Sequence, residues 1–319
     1  MLSLFFRKAV DQQMNADTIE KSTIVKTKET HSNIVSDLKA LLKGIVLISN
    51  VLPVITGFWL ALYFIDAPFI AYWDVFLLTI TGSTALMAGA LILNNWYDAD
   101  IDAIMDRTKH RPTVTGSISL RVVLIMGICL SVIGMILLLL TTVEAAVYGL
   151  IGWFTYVVLY TMWSKRRYTL NTVIGSISGA VTPLIGWAAV DSSFHVVPIT
   201  LFLIIFIWQM PHTFAIAIKK YDEYKAAGVA MLPVVHGLEI TKRQTLVYIT
   251  CLLPLPFLLP SLGSIFLITT TLFNLAWLAL AIQGFRTEDH HKWAHHMFLF
   301  SVNYLMFLFL LMIVVTLFA

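Results

Sequence analysis

The chain has 319 residues, of which 59% are hydrophobic and only 12% charged, against roughly 25% charged in a typical soluble domain. Its formal net charge is +3 and its mean hydropathy +0.84. A water-soluble fold cannot hide that much apolar surface, so the composition specifies an all-α, polytopic protein of the lipid bilayer, and no nucleic-acid partner is expected.

Residues 1–37 are polar and mixed in charge, with few aromatics after Phe6, and read as a disordered or surface-lying cytoplasmic tail. No apolar stretch followed by a small-residue cleavage site opens the chain, so no cleaved signal peptide is expected. A single transmembrane domain over 38–319 follows. It contains about nine apolar runs, each near the roughly 20 residues a bilayer needs: 40–64, 72–94, 120–141, 145–163, 172–190, 196–217, 246–262, 264–284 and 296–318. Pro254, Pro256 and Pro260 predict a kink in the seventh. Cys129 and Cys251 fall inside apolar runs without metal-type spacing and read as packing residues.

Lys and Arg split cleanly among the connections. The tail carries Arg7, Lys8, Lys21, Lys26, Lys28, Lys39 and Lys43, and the remaining cations follow the even-numbered runs. The connections near 65–71, 142–144, 191–195 and 263 carry none. Positive charge stays in the cytoplasm, which puts the N-terminus inside and the C-terminus outside.

Two long polar loops, 94–121 and 209–245, begin inside helix ends on that same side. The first opens with "NNWYDADIDAIMDRTKHRP" (94–112). Four residues exceed one helical turn by only about 40°, so Asn94, Asp98 and Asp102 share a face over about 12 Å. These are hard oxygen ligands of the kind Mg²⁺ takes, usually one or two carboxylates with the phosphates of a substrate. Arg107, Lys109 and Arg111 follow at once and suit phosphate oxygens. The plainer alternative is a solvated helix end. Like charges at four-residue spacing repel, however, and are tolerated best with a cation between them.

This pattern, continuing through Asp106-Arg107-Thr108 to Arg111-Pro112, resembles the first aspartate-rich motif of the UbiA-type intramembrane prenyltransferase superfamily. The "MDRTKHRP" continuation, "NTVIGSISGAVTPLIGW" (171–187) and "WQMPHTFAIAIKKYDEYKAAGVAMLPVV" (208–235) are similar to its haem-farnesylating branch. The resemblance spans roughly residues 40–310. It implies Mg²⁺ as cofactor, held by Asn94, Asp98, Asp102 and Asp106. It implies farnesyl diphosphate and haem B as substrates, with haem B not a fixed cofactor; no Cys-x-x-Cys-His attachment motif is present. It also implies a site on the cytoplasmic side of a bacterial cell membrane, and a downstream haem-modifying membrane enzyme as a partner.

In the second loop His212 stands where many relatives of the superfamily carry an aspartate. Lys219 and Lys220 would neutralise diphosphate directly, joining Asp98 and Asp102 as catalytic residues. Asn94, Arg107, Arg111, His212, Tyr221, Asp222 and Lys43 are the expected substrate contacts. Lys43 departs from the family pattern, being followed by Gly44-Ile45 where Pro and a basic residue would stand. Lys165, Arg166 and Arg167 read first as positive-inside markers and second as contacts for haem propionates. His290, His291, His295 and His296 read as a surface cluster. Two rival functions share parts of this pattern. A prenyltransferase for a quinone precursor would want a full aspartate pair in the second loop. A transporter would want its charges near the bilayer midplane rather than at span ends.

Overall fold

Every element in the computed structural model, which describes residues 34–318, is helical; among them there is no strand. The expected tail up to residue 33 lies outside the described residues. The helices that matter for the site are α1 (Ile34–Leu42), α2 (Gly44–Phe64), α3 (Trp73–Tyr97), α4 (Leu120–Leu139), α5 (Val143–Phe154), α6 (Asn171–Ala180), α7 (Thr182–Ala188), α8 (Val196–Lys219), α9 (Leu232–Leu252), α10 (Gly263–Gln283) and α11 (His290–Leu317). Lys39–Ala319 forms one compact unit.

Seven stretches among the described residues are long and apolar enough to cross a bilayer: Gly44–Phe64, Phe69–Tyr97, Leu120–Leu139, Val143–Ser164, Val196–Lys219, Pro260–Gln283 and His290–Leu317. The other two expected runs are helical but interrupted. Run 172–190 is α6 and α7, divided at Val181, where the helix restarts on Thr182-Pro183. A proline in the first turn has no amide to donate, so it restarts a helix easily. Run 246–262 begins much earlier than expected, at Leu232, because α9 continues through a break at Gly237 (φ 83°, ψ 172°). Its far end fails where the prolines stand: α9 stops at Leu252 and gives way to 3₁₀ turns at Leu255–Leu258 and Pro260–Leu262.

Caps mark the clean starts. Ser119 accepts from the Val122 amide, Thr142 from Ala145, and Asp289 from Lys292 at 2.8 Å. Large apolar side chains such as Ile125, Ile128, Val132 and Ile136 on α4 stand exposed on the bundle exterior, as do Ile265, Ile268 and Leu272 on α10. Such faces need lipid as solvent.

Lipid tails are as apolar as leucine, so helix association there depends on close packing. Two crossings bring backbones into direct contact. A Cβ placed on Gly57 of α2 would lie 2.1 Å from the Pro183 carbonyl oxygen, and one on Gly186 of α7 would lie 2.0 Å from that of Val54. On α3 and α4, Gly89 meets Ser131 and Gly134 meets the backbone of Leu86. Gly57→Val and Gly186→Val should therefore each destabilise the bundle by about 3 kcal/mol, read as a lowered midpoint of thermal unfolding in detergent. A melt unchanged by both would contradict the crossing.

Candidate active site

The ladder starts on the last turn of α3. The Asp98 amide donates to Asn94 O at 2.9 Å, and the Asp102 amide to Asp98 O at 2.8 Å. Asp98 itself leaves helical geometry (φ −89°, ψ 8°), and a short helix, Ala99–Asp102, carries the third rung. Asn94, Asp98 and Asp102 are 3%, 1% and 3% exposed, which removes the reading of a solvated helix end. The chain then turns, pinned by the Thr108 hydroxyl on Asp102 O at 2.9 Å. Asp106 consequently falls off the ladder face: it is exposed and pairs with Lys109 at 2.7 Å. The four-residue spacing outlasts the helix by one rung.

A buried carboxylate at a membrane face needs a partner. Each rung has one, from a different segment. Lys43 Nζ donates to Asn94 Oδ1, Lys165 Nζ to Asp98 Oδ2, and Arg111 Nη1 to Asp102 Oδ2. Arg166 forks onto Asp100 with two bonds of 2.7 Å and lies 3.5 Å from Asp98 Oδ1. Lys43 reaches inward because its own backbone is left-handed (φ 48°, ψ 53°) at the joint between α1 and α2. Burial, and then the charges of Arg111 and Lys165, hold its ammonium well below the usual lysine range.

The helix opposite α3 has an unusual form. After α5 the chain runs as a π-helix, Thr155–Ser164. Such segments are rare and concentrate at functional sites. Thr161 donates back five residues to Tyr156 O at 2.8 Å and accepts from Asn94 Nδ2 at 3.0 Å. Asn94 Nδ2 also donates to Asp98 Oδ2 at 2.7 Å. With its amide nitrogen so engaged, Asn94 turns its oxygen towards the cations. Lys165, at the end of the π segment, is braced by Asn171, whose Nδ2 donates to Lys165 O at 3.2 Å and to Ala230 O at 2.9 Å.

The second loop forms another pole, packed against the ladder segment where Ile101 meets Ala217, Val229 and Met231. Lys219 donates to His295 Nδ1 at 3.0 Å and lies 4.6 Å above the Phe298 ring. Lys220 pairs with Glu223 at 2.6 Å. Tyr221 lies under Lys225, and Asp222 is exposed. His212 stacks on Trp208 (4.6 Å between centroids), and its Nδ1 lies 2.8 Å from Ser301 Oγ. The single Ser301 hydroxyl proton is directed at Phe298 O, 2.6 Å away. His212 Nδ1 is therefore the donor, which leaves the Nε2 lone pair free. The histidines of α11 are tied to lysines as well: His290 Nδ1 accepts from Lys242 at 3.1 Å. Arg107 is exposed beside the ladder.

The structure thus brings Asn94, Asp98, Asp102, Arg111 and Lys43 together, adds Lys165 and Arg166, which the sequence reads first as positive-inside markers, and adds Thr161, which the sequence pattern does not single out. Among the described residues no hydrogen bond or ion pair joins Asp106, Lys219, Lys220, His212, Tyr221 or Asp222 to the rungs, although Ile101, next to Asp102, packs with Ala217, Tyr224 and Val229 of the second loop. Among the described residues no group of three His, Cys, Asp or Glu side chains is gathered to hold a metal alone. The ladder still fits Mg²⁺, which takes one or two carboxylates and completes its shell from phosphate and water. Asp98 Oδ1 is buried without a hydrogen-bond partner, with only the Arg166 guanidinium 3.5 Å away.

Below the ladder, towards the membrane interior, lies a cavity of about 140 Å³. Leu47, Leu91, Trp153 and Tyr156 line it, and in its wall Gly149 packs against Leu138 and Leu86 and Gly152 against Val181. An apolar cavity under a cluster of cations suits an anionic head with a hydrocarbon tail.

A profile of the UbiA prenyltransferase family matches residues 50–315. The chain belongs to the UbiA prenyltransferase family. The protoheme IX farnesyltransferase of Oceanobacillus iheyensis is 53% identical over 306 residues, covering 96% of this chain and 98% of the relative. The protoheme IX farnesyltransferase of a Geobacillus species is 56% identical over 269 residues, covering 84% and 87%. A UbiA homolog from Archaeoglobus fulgidus, solved bound to DMAPP and Mg²⁺, superimposes with a TM-score of 0.67 at 16% identity, over 87% of this chain and 99% of that one. The chain therefore has the UbiA fold and is an integral membrane protein.

In this UbiA bundle Lys165 neutralises an Asp98 that water cannot reach. Lys165→Ala should lower stability by about 3 kcal/mol, because it leaves that carboxylate unpaired. Adding Asp98→Asn should recover much of the loss in thermal unfolding. Independent, additive effects would mean that the ion pair is incidental.

Proposed function

We propose that this chain transfers the farnesyl group of farnesyl diphosphate to a vinyl group of haem B, with addition of water, giving haem O. The observation that carries the reading is the meeting of two buried carboxylates and three cations one turn along α3 from a hydrocarbon-lined cavity. The high identity to protoheme IX farnesyltransferases supports the choice of acceptor. In bacteria the product feeds haem A synthesis for terminal oxidases. By the Lys/Arg distribution the site faces the cytoplasm.

Asn94, Asp98 and Asp102 would hold Mg²⁺, which when bound supplies Lewis-acid stabilisation of negative charge on the diphosphate. The protein's own cations do the rest. Lys43, Lys165 and Arg111 already converge on the ladder, and a diphosphate brings oxygens of its own for them to bind. Their fixed positions stabilise charge as the allylic C–O bond breaks. Arg107 stands at the rim to guide the incoming anion. The apolar cavity below keeps water from the farnesyl cation until the vinyl group adds. The new cation next to the porphyrin is then quenched by water.

The second pole is the proposed seat of the acceptor. Lys219 and Lys220 carry charge suited to haem propionates or to diphosphate oxygens. Tyr221 and Asp222 border the same loop. His212 presents an Nε2 lone pair from a ring locked between Trp208 and Phe298, the form in which histidine meets haem iron. A quinone precursor has no use for that lone pair, and no second aspartate pair is present for the quinone-pathway pattern. A transporter reading fits poorly because the charges sit at span ends.

Purified protein in lipid, given haem B, farnesyl diphosphate and Mg²⁺, should yield a haem heavier by a farnesyl group plus a hydroxyl in mass spectrometry. Asp98→Ala and Asp102→Ala should each reduce that product at least about 100-fold. Chelation of divalent cations should abolish it, and Mg²⁺ should restore it. Prenylation of a quinone-type acceptor with haem left unmodified would falsify the choice of acceptor while leaving the diphosphate chemistry standing.

A further inference from the structure

The cavity has a floor, and its depth is measurable along α3. From Asn94 down to Leu86 is eight residues, about 12 Å, and to Ser83 eleven residues, about 16 Å, at the helical rise. Both residues line the cavity, as does Ile185 of α7. Leu86 and Ile185 are 4% and 3% exposed, and they form one buried cluster with Leu138 and Ala146. Their side chains therefore face the cavity on one side and a closed core on the other. Gly152 lies on the wall one turn below Tyr156, and a Cβ there would meet only the tip of Val181 and, farther off, Ser178 O.

An extended isoprenoid advances about 5 Å per five-carbon unit, from four bonds of about 1.5 Å in zigzag. Two units span about 10 Å, three about 15 Å and four about 20 Å by the same bond lengths. With its first carbon at the ladder, a chain of two units stops short of the depth of Leu86, a chain of three ends between Leu86 and Ser83, and a chain of four runs past every residue of α3 that lines the cavity. We propose that Leu86 and Ile185 form the stop that selects a fifteen-carbon prenyl donor, with the bare Cα of Gly152 keeping the lower cavity open to the third unit. This rests on the reading of the chain as a prenyl transferase with its diphosphate site at the ladder.

The magnitudes favour selection. A misfit of a single methylene in an apolar pocket changes preference by roughly 10- to 200-fold. Here the misfit is a whole isoprene unit. Truncating both leucine and isoleucine to alanine removes six carbons, close to the five of one unit.

The experiment gives purified protein in lipid nanodiscs an equimolar mixture of geranyl, farnesyl and geranylgeranyl diphosphates, with haem B and Mg²⁺. The share of each prenylated haem is read by mass. In parallel, each diphosphate alone is ranked by its shift of the melting temperature, which needs no acceptor. Wild type should favour farnesyl in both. Leu86→Ala, Ile185→Ala and their combination should raise the geranylgeranyl share at least about tenfold. Gly152→Val should move it towards geranyl. Shares are compared within one variant, so protein lost to misfolding does not alter them. Unchanged shares in variants that still farnesylate haem would overturn the floor and leave the proposed activity intact. If wild type prenylates no haem, the proposed acceptor falls. The melting-temperature ranking then decides the floor by itself: reordering among variants supports it, and a constant order rejects it.

Discussion

Two carboxylates buried at a membrane face are the constraint on which the rest of the structure depends. Neither Asp98 nor Asp102 reaches water. Each is stable as an anion only while a cation from elsewhere in the chain touches it. Those cations come from the end of the π segment and from the loop before Pro112, while Lys43 at the α1–α2 joint holds Asn94 beside them. Four stretches far apart in sequence are thus fixed to one point, and the helices that carry them must arrive in register. The left-handed backbone of Lys43 shows what that register requires. A non-glycine residue in that region costs roughly 1–2 kcal/mol, and it persists because the ammonium is needed at Asn94.

The same requirement accounts for the π-helix. An α-helical continuation of α5 would carry each later residue about 100° round per step, and Thr161 and Lys165 would fall on different faces from those they occupy. The wider turn brings both to the ladder, and Thr161 uses its five-residue back-bond to present its oxygen to Asn94. The helix therefore links the charged cluster above to the cavity below, since Trp153 and Tyr156 on its inner face line that cavity. Head-group chemistry and tail accommodation are set by consecutive turns of one helix.

How much of this is legible in the sequence follows from what each feature depends on. Span positions rest on composition, and seven are recovered as continuous helices. The two that break do so at prolines and a glycine whose consequence depends on the neighbours: Pro254 and its successors end α9, whereas Pro211 sits inside an unbroken α8. The rungs at 94, 98 and 102 are legible because helix periodicity places them on one face. Asp106 shares the spacing but not the helix, and nothing local marks the turn pinned by Thr108. Lys165 is the instructive case. A positive-inside cation and a site cation are the same residue type at the same depth, so charge position alone does not separate them. Only the fold, by bringing the π segment against α3, makes the distinction.

The two polar loops occupy corresponding places in the chain but carry opposite chemistry. The first gathers carboxylates and masks them with cations from other segments. The second gathers lysines and a histidine, and each is held by a neighbour of its own pole: Lys219 by His295, Lys220 by Glu223, His212 by Ser301. Basic and imidazole groups in the second loop suit an acceptor that bears carboxylates and a metal of its own. On the proposed reading, the asymmetry between the loops is what converts a prenyl-diphosphate site into one that also seats haem. The identity of the acceptor is then written in the second loop, while the length of the donor is written in the cavity beneath the first.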